Sequence, residues 1–182
     1  MVSQFISTHT VRLLGDIDFT FPQGTHAIGR LDNHSEGLLL LTTNKKITRL
    51  LFLATIPHKR TYLVQINNVL SAANLLQLQN GTTITIKGNQ LYTTPPCHVE
   101  VVSNTTAIYP YCNNTDEFGV HTWLLITLTE GKYHQVRKMM GSIKHRCKRL
   151  IRISIEDVYL GNLAPGQIKE MDETDFFTLL KL

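Results

Sequence analysis

At 182 residues, 42% hydrophobic and 18% charged, the chain is long enough to bury a core, as one domain or one domain in two lobes, and too apolar to be mainly disordered. Its three cysteines, Cys97, Cys112 and Cys147, form no CxxC pair, which argues against a disulfide framework and for a reducing cytoplasm. The formal charge is +4, the longest apolar runs (such as Leu38 to Leu41) are far too short to span a bilayer, and no secretory pattern opens the chain; the expectation is a soluble cytoplasmic protein.

In chain order, Gly29 to Thr42 reads as a charged pair, a turn at Asp32-Asn33 and a buried strand. Asn44 to Ala54 is predicted as a helix capped by Asn44, with Ile47, Leu50, Leu51 and Ala54 on one face. Thr61 to Ile66 alternates and is β-branched, so it is predicted as a strand. Ser71 to Gln79 is a short helix stopped by Asn80-Gly81. Thr82 to Lys87, Cys97 to Val102 and Thr122 to Thr129 read as strands, with a polar, turn-rich loop over Tyr109 to Gly119. Tyr133 to Lys144 is helical, with Val136, Met139, Met140 and Ile143 as its apolar stripe. Lys148 to Ile155 returns as a strand, and Asp172 caps a last helix with Phe176, Phe177 and Leu180 inward. Strands outnumber helices at hairpin-like spacings, which predicts an α+β fold with a mixed, largely antiparallel sheet.

The placement of charge says more than its total. Gly37 to Val99 holds no acidic residue but carries Lys45, Lys46, Arg49, Lys59, Arg60 and Lys87. Gly131 to Ile155 holds none either, against eight bases: Lys132, Arg137, Lys138, Lys144, Arg146, Lys148, Arg149 and Arg152. Gly29 to Ile155 is +9, from 15 bases and six acids, while the tail from Glu156 is −4. A single cluster of this kind is usually a solvated helix face. Two long acid-free stretches point instead to a polyanion, and so to nucleic acid.

The string Gly29-Arg30-Leu31-Asp32-Asn33-His34-Ser35-Glu36-Gly37-Leu38-Leu39-Leu40-Leu41-Thr42 resembles the signature of the RsuA-like ribosomal RNA pseudouridine synthases, GRLD, two variable residues, then SEGLLLLT. Further blocks follow in the family's order. Lys59 to Val64 resembles its K-x-Y-x-V strand, and Glu130 to Met139 its E-G-x-x-x-Q-V-R-x-M helix start. Arg149-Leu150-Ile151-Arg152 and Gly161 to Gly166 resemble its closing L-x-R strand and L-x-x-G turn. The resemblance runs from about Val2 to the end and is greatest to the short RluE-type members, which act on 23S ribosomal RNA. It implies a single catalytic domain over residues 1–182, in two lobes around a central cleft, without a separate N-terminal RNA-binding domain. The family's usual opening strand, ending in Lys-Pro, has no counterpart here; a sheet edge or core gap is expected in its place.

The resemblance also assigns roles. The family breaks the uridine N1–C1′ bond, turns the base and joins C5 to C1′, without metal or redox cofactor. Asp32 matches its essential aspartate, as nucleophile or as base; alone, an aspartate in a turn usually bonds nearby backbone N–H groups. Arg137 matches the arginine that pairs with that aspartate, and otherwise reads as one more base on an amphipathic helix. Tyr62 matches the tyrosine against the target base, though a tyrosine on a strand is more often core, and Leu150 matches an apolar residue of the base pocket but could as easily be plain core. Arg30 could fill the space left by a flipped base or contact a phosphate. Lys59, Arg60, Lys138, Lys144, Arg146, Lys148, Arg149 and Arg152 are the expected RNA contacts.

The implied partner is ribosomal RNA, free or in an assembling large subunit, met by a monomer with no membrane attachment. Small-subunit or transfer RNA, and a non-catalytic RNA-binding role, remain as alternatives. A metal site among Cys97, His98, Cys112, His134, His145 and Cys147 is disfavoured, because no pair has CxxC or HxxxH spacing. Walker A, GxGxxG and GxSxG motifs are absent.

Overall fold

Alternating apolar residues in the middle of the chain build a sheet with both faces covered. The computed structural model describes residues 1–53, 57–112 and 119–182. Its strands are β1 (His26–Ile28), β2 (Glu36–Gly37), β3 (Leu40–Thr42), β4 (Arg60–Asn67), β5 (Thr83–Thr85), β6 (Leu91–Thr93), β7 (His98–Val102), β8 (His121–Leu128), β9 (Cys147–Ile155) and β10 (Val158–Tyr159). The helices are α1 (Ile47–Leu53), α2 (Ala72–Asn80), α3 (Gln135–Ser142) and α4 (Glu173–Leu180). The main sheet runs β10-β9-β4-β8-β7, antiparallel throughout, and β2 joins β9 in parallel. β1–β3 and β5–β6 are separate antiparallel pairs. The expected mixed, largely antiparallel α+β fold is therefore what the chain adopts.

The period of two along each strand sorts side chains to opposite faces. Leu63, Trp123, Ile151, Ile153 and Ile155 pack on one face with Ile28, Leu38, Leu40, Ile47, Leu51 and Leu180. Val64, Ile66, Leu124, Ile126 and Leu150 pack on the other with Leu78, Val136, Met139, Met140 and Ile143. Two register shifts in the β4–β9 ladder, at Thr61/Tyr62 and Gln65/Ile66, bend β4.

Local signals place the helices. The Ser71 side chain accepts the Asn74 N–H, and that of Asp172 accepts the Thr174 N–H. Asn44 accepts the Lys46 N–H just before α1. Ile47 and Leu51 are buried as expected, but Leu50 is exposed; Ala54, the predicted end of this helix, lies outside the described residues. Thr82 to Lys87, read as one strand, is instead β5 followed by a turn through Gly88 (φ 76°) into β6. Within the expected loop from Tyr109 to Gly119, Tyr109 and Cys112 are buried in the core, and residues 113–118 lie outside the described residues.

Gly37 fixes how β2 meets β9. Its φ is +98°, and a Cβ there would collide with the backbone O and N of Arg152. Glycine lets the chain come close enough for Leu38 N–H to donate to Arg152 O at 2.8 Å. No helix among the described residues is long and apolar enough to cross a membrane.

Candidate active site

The loop after β1, the start of β4, the strand β9 and the N-terminus of α3 enclose a cavity of about 710 Å³. That is within the usual range for a small-ligand or nucleotide site. Arg30, Asp32, Arg60, Tyr62, Leu150, Arg152 and His134 all line it, so six residues singled out as candidates, from three separate stretches of the sequence (Arg30 and Asp32, Arg60 and Tyr62, Leu150 and Arg152), converge there.

Asp32 opens a tight turn, its carbonyl accepting the Ser35 N–H at 2.8 Å. Its side chain is about one-third exposed at the cavity, and Oδ1 lies 3.6 Å from His134 Nε2. Arg137 does not reach the carboxylate. Its Nη2 donates to the His34 carbonyl and lies 3.5 Å from Ser35 Oγ. The expected Asp32–Arg137 ion pair is thus replaced by a clamp on the turn that carries Asp32. The reason is local: α3 begins after His134, and His134 itself fills the space beside the carboxylate.

Tyr62 and Arg152 face each other across the β4–β9 ladder as direct partners. Arg152 is 5% exposed, and its Nε donates to the Leu38 carbonyl at 2.8 Å while Nη2 has no protein partner. Burial lowers the pKa of this guanidinium; the neighbouring Tyr62 and Asp32 pull it back up. Arg60 is also buried, and burial lowers its pKa against the opposing pull of Tyr62 and Glu156. Two buried cations beneath an acid and a phenol make a floor suited to a polar, partly anionic guest, while Leu150 and Val136 supply apolar wall.

Several expected RNA contacts sit elsewhere. Arg152 is a buried floor residue and not a surface charge. Arg149 is held by Glu36 in a two-pronged pair, Nε to Oε1 at 3.0 Å and Nη2 to Oε2 at 2.7 Å, which raises its pKa and ties β9 to β2. Arg30 is exposed, and the Gln4 amide, turned with its oxygen toward it, accepts from Nη1 at 2.9 Å and Nε at 3.0 Å. Lys59, Lys144 and Arg146 are exposed; Lys138 and Lys148 are half-buried.

Arg152 was foreseen only as an RNA contact, and Glu156 not at all. Strict alternation from Leu150 would have put Arg152 on the Tyr62 face. Buried Glu156, by contrast, accepts the Lys59 N–H at 2.5 Å and meets His58 Nδ1 at 3.4 Å and Lys181 Nζ at 3.1 Å, fixing the segment that leads into β4. Nothing in the local sequence marks that long-range link. Among the described residues, no cluster of three or more His, Cys, Asp or Glu stands close enough to hold a metal.

Residues 14–142 match the family model described as RNA pseudouridylate synthase. The chain is 35% identical over 157 residues to the ribosomal large subunit pseudouridine synthase E of Vibrio parahaemolyticus, covering 85% of this chain and 63% of that one. It is 30% identical over 169 residues to the protein of the same name from Xanthomonas campestris, covering 92% and 88%. A crystal structure of a pseudouridylate synthase superposes with a TM-score of 0.72 at 23% identity, over 92% of this chain and 65% of that one. Against the Vibrio parahaemolyticus relative and two others, from Bacillus subtilis and Aquifex aeolicus, the chain spans 56 to 63% of the relative's length.

Proposed function

The chain belongs to the RNA pseudouridylate synthase family, and from that premise we propose that it converts a specific uridine of large-subunit (23S) ribosomal RNA to pseudouridine. The observation that carries this reading is the convergence of Asp32, Tyr62, Arg152 and Leu150 on one cavity. In the reaction the N1–C1′ bond breaks, the base turns, and C5 joins C1′. The C5 proton leaves to solvent and a proton ends on N1, so atoms and electrons balance without an external oxidant or metal.

Asp32 is the group at the sugar. Its carboxylate acts in one of two ways, attacking a reacting carbon or removing a sugar proton. Tyr62 lies against the base, with its phenol placed to move the C5 proton. Leu150 packs the base from the apolar wall. Arg152 offers the free Nη2 donor to the base carbonyls or a phosphate, at a depth only a flipped-out uridine reaches. Arg137 positions Asp32 by clamping its turn. Exposed Lys59, Lys144 and Arg146 with Lys138 hold the backbone, and RNA shape supplies much of the selectivity.

The protein works in the cytoplasm as a monomer, as one catalytic unit, on ribosomal RNA free or in an assembling large subunit. Retention of Asp32, Tyr62 and Arg137 speaks against a non-catalytic RNA-binding relative. Mapping pseudouridines in all stable RNAs of a strain with and without the gene tests the assignment. Loss of one 23S pseudouridine on deletion is the expected result. Loss of a small-subunit or transfer RNA pseudouridine would move the substrate, and an unchanged map would refute the reading.

A further inference from the structure

Beside the cavity mouth, the entry to α3 carries two aromatic rings that the core does not use. Tyr133 is 71% exposed, and its ring stacks on that of His134 with centroids 3.9 Å apart and planes 18° apart. A tyrosine so exposed gives up most of the stabilisation its ring could gain by burial. His134 holds a left-handed backbone, φ 54°, which a non-glycine residue adopts only at a cost. That conformation sets its Nε2 3.6 Å from Asp32 Oδ1 and leaves both rings lining the cavity. A cation stands at the pair, the Lys138 ammonium 5.3 Å from the Tyr133 ring centre; Lys132 lines the same cavity with its ammonium 4.8 Å over the Tyr92 ring. No acid intervenes from Gly131 to Ile155.

We propose that the Tyr133–His134 stack is a binding platform for an unpaired RNA base, the nucleotide next to the target uridine. The inference rests on the RNA-modifying function proposed above. A uridine that leaves its helix strips its neighbour of a stacking partner, and an exposed ring one side chain away from the reacting carboxylate replaces it. Single-strand binding sites combine such rings with cations that follow the phosphates. Lys138 supplies such a cation here, leaving the Tyr133 ring for the backbone as the base arrives. The platform selects for an unstacked neighbour, whatever its identity, because every base has a π-face.

The test uses the full chain and a single-stranded oligouridylate carrying one 2-aminopurine, whose fluorescence is quenched by stacking. Wild type, Tyr133→Phe and Tyr133→Leu are titrated into it, with unfolding temperatures measured in parallel. Wild type and the Phe variant are expected to bind alike and quench alike. The Leu variant, with an equally exposed but non-aromatic side chain, should unfold at the wild-type temperature, bind about 5- to 150-fold more weakly and lose the quench. A Leu variant that binds and quenches as wild type does, or a Phe variant as weak as the Leu one, overturns the platform. Wild-type protein that binds and quenches but forms no pseudouridine in any RNA refutes the proposed reaction while supporting the platform. Wild-type protein that does not bind the oligouridylate at all overturns the platform whether or not it forms pseudouridine in ribosomal RNA.

Discussion

Replacing Gly37 by Ala tests how the site's floor is built. The added methyl meets the backbone O and N of Arg152, and the residue holds φ +98°, a region that costs a non-glycine residue about 1–3 kcal/mol. Relief requires β2 to lift from β9. That loses the Leu38 N–H to Arg152 O bond, worth about 1 kcal/mol, and strains the Arg152 Nε to Leu38 O bond, a charge-assisted one worth about 1.5–3 kcal/mol. The sum is about 3–7 kcal/mol, a large share of the roughly 5–15 kcal/mol that stabilises a typical domain. For a chain of this size each kcal/mol moves the unfolding temperature by about 2–4 °C, so a fall of about 6–28 °C is expected by differential scanning calorimetry. Gly141→Ala is the control. It lies in α3 with nothing within 4 Å of an added Cβ, and it should raise stability by about 0.5–1 kcal/mol. A Gly37→Ala protein that unfolds at the wild-type temperature would refute the close-approach argument.

The clamp on the Asp32 turn predicts that Arg137→Met lowers kcat by about 10- to 100-fold, the worth of one charged hydrogen bond expressed in the transition state, while the unfolding temperature moves by only a few degrees. An unchanged kcat in a tritium-release assay would remove the clamp from the account. Changing Lys144, Arg146 and Lys148 together to Gln should flatten log K against log salt by about 0.7–0.9 per lost phosphate contact and leave turnover at saturating RNA nearly intact. A wild-type salt slope would shift the RNA face toward Lys45, Lys46 and Arg49. Burial pushes the Cys147 thiol up to about 11, so the folded state keeps its proton where the unfolded chain loses it. Stability from this group is complete below the usual thiol range and is lost as pH rises toward 11, by about 2–3 kcal/mol. Urea titrations at pH 8 and pH 11 should show that loss in wild type and a smaller one in Cys147→Ala; equal losses in both would contradict it.

How far the fold could be read in advance depended on whether the signal was local. Ser71 and Asp172 cap as their residue types dictate, and the alternation in β4, β8 and β9 sorts side chains between the two cores. β5 was expected, but its hairpin partner β6 was missed, because Leu91 to Thr93 is only three residues long and shows no alternation. β1, β2 and β10 are two or three residues long, too short for any period to register. Leu50 follows the helical spacing yet is exposed, while Ile47 and Leu51 of the same helix are buried in the core.

The site was legible in one respect and opaque in another. Asp32, Tyr62 and Leu150 stand out through motif strings, and they do meet in one cavity. Basic residues gave no such guidance, since a charge in the sequence does not reveal its partner. Glu36 captures Arg149 from 113 positions away, and the Leu38 carbonyl holds Arg152 from 114. His134, not Arg137, lies beside the Asp32 carboxylate, because the chain enters α3 in a left-handed conformation that composition cannot show.

The proposed reaction depends on the Asp32 carboxylate. The most direct measurement is pseudouridine formation in 23S ribosomal RNA from the deletion strain, incubated with purified wild-type or Asp32→Asn protein. Asn keeps the shape and the turn but removes the charge and the nucleophile. Wild type should restore the missing pseudouridine, and the Asn variant should form none while retaining the wild-type unfolding temperature and RNA affinity. An Asp32→Asn protein that turns over at a rate comparable to wild type would contradict the account.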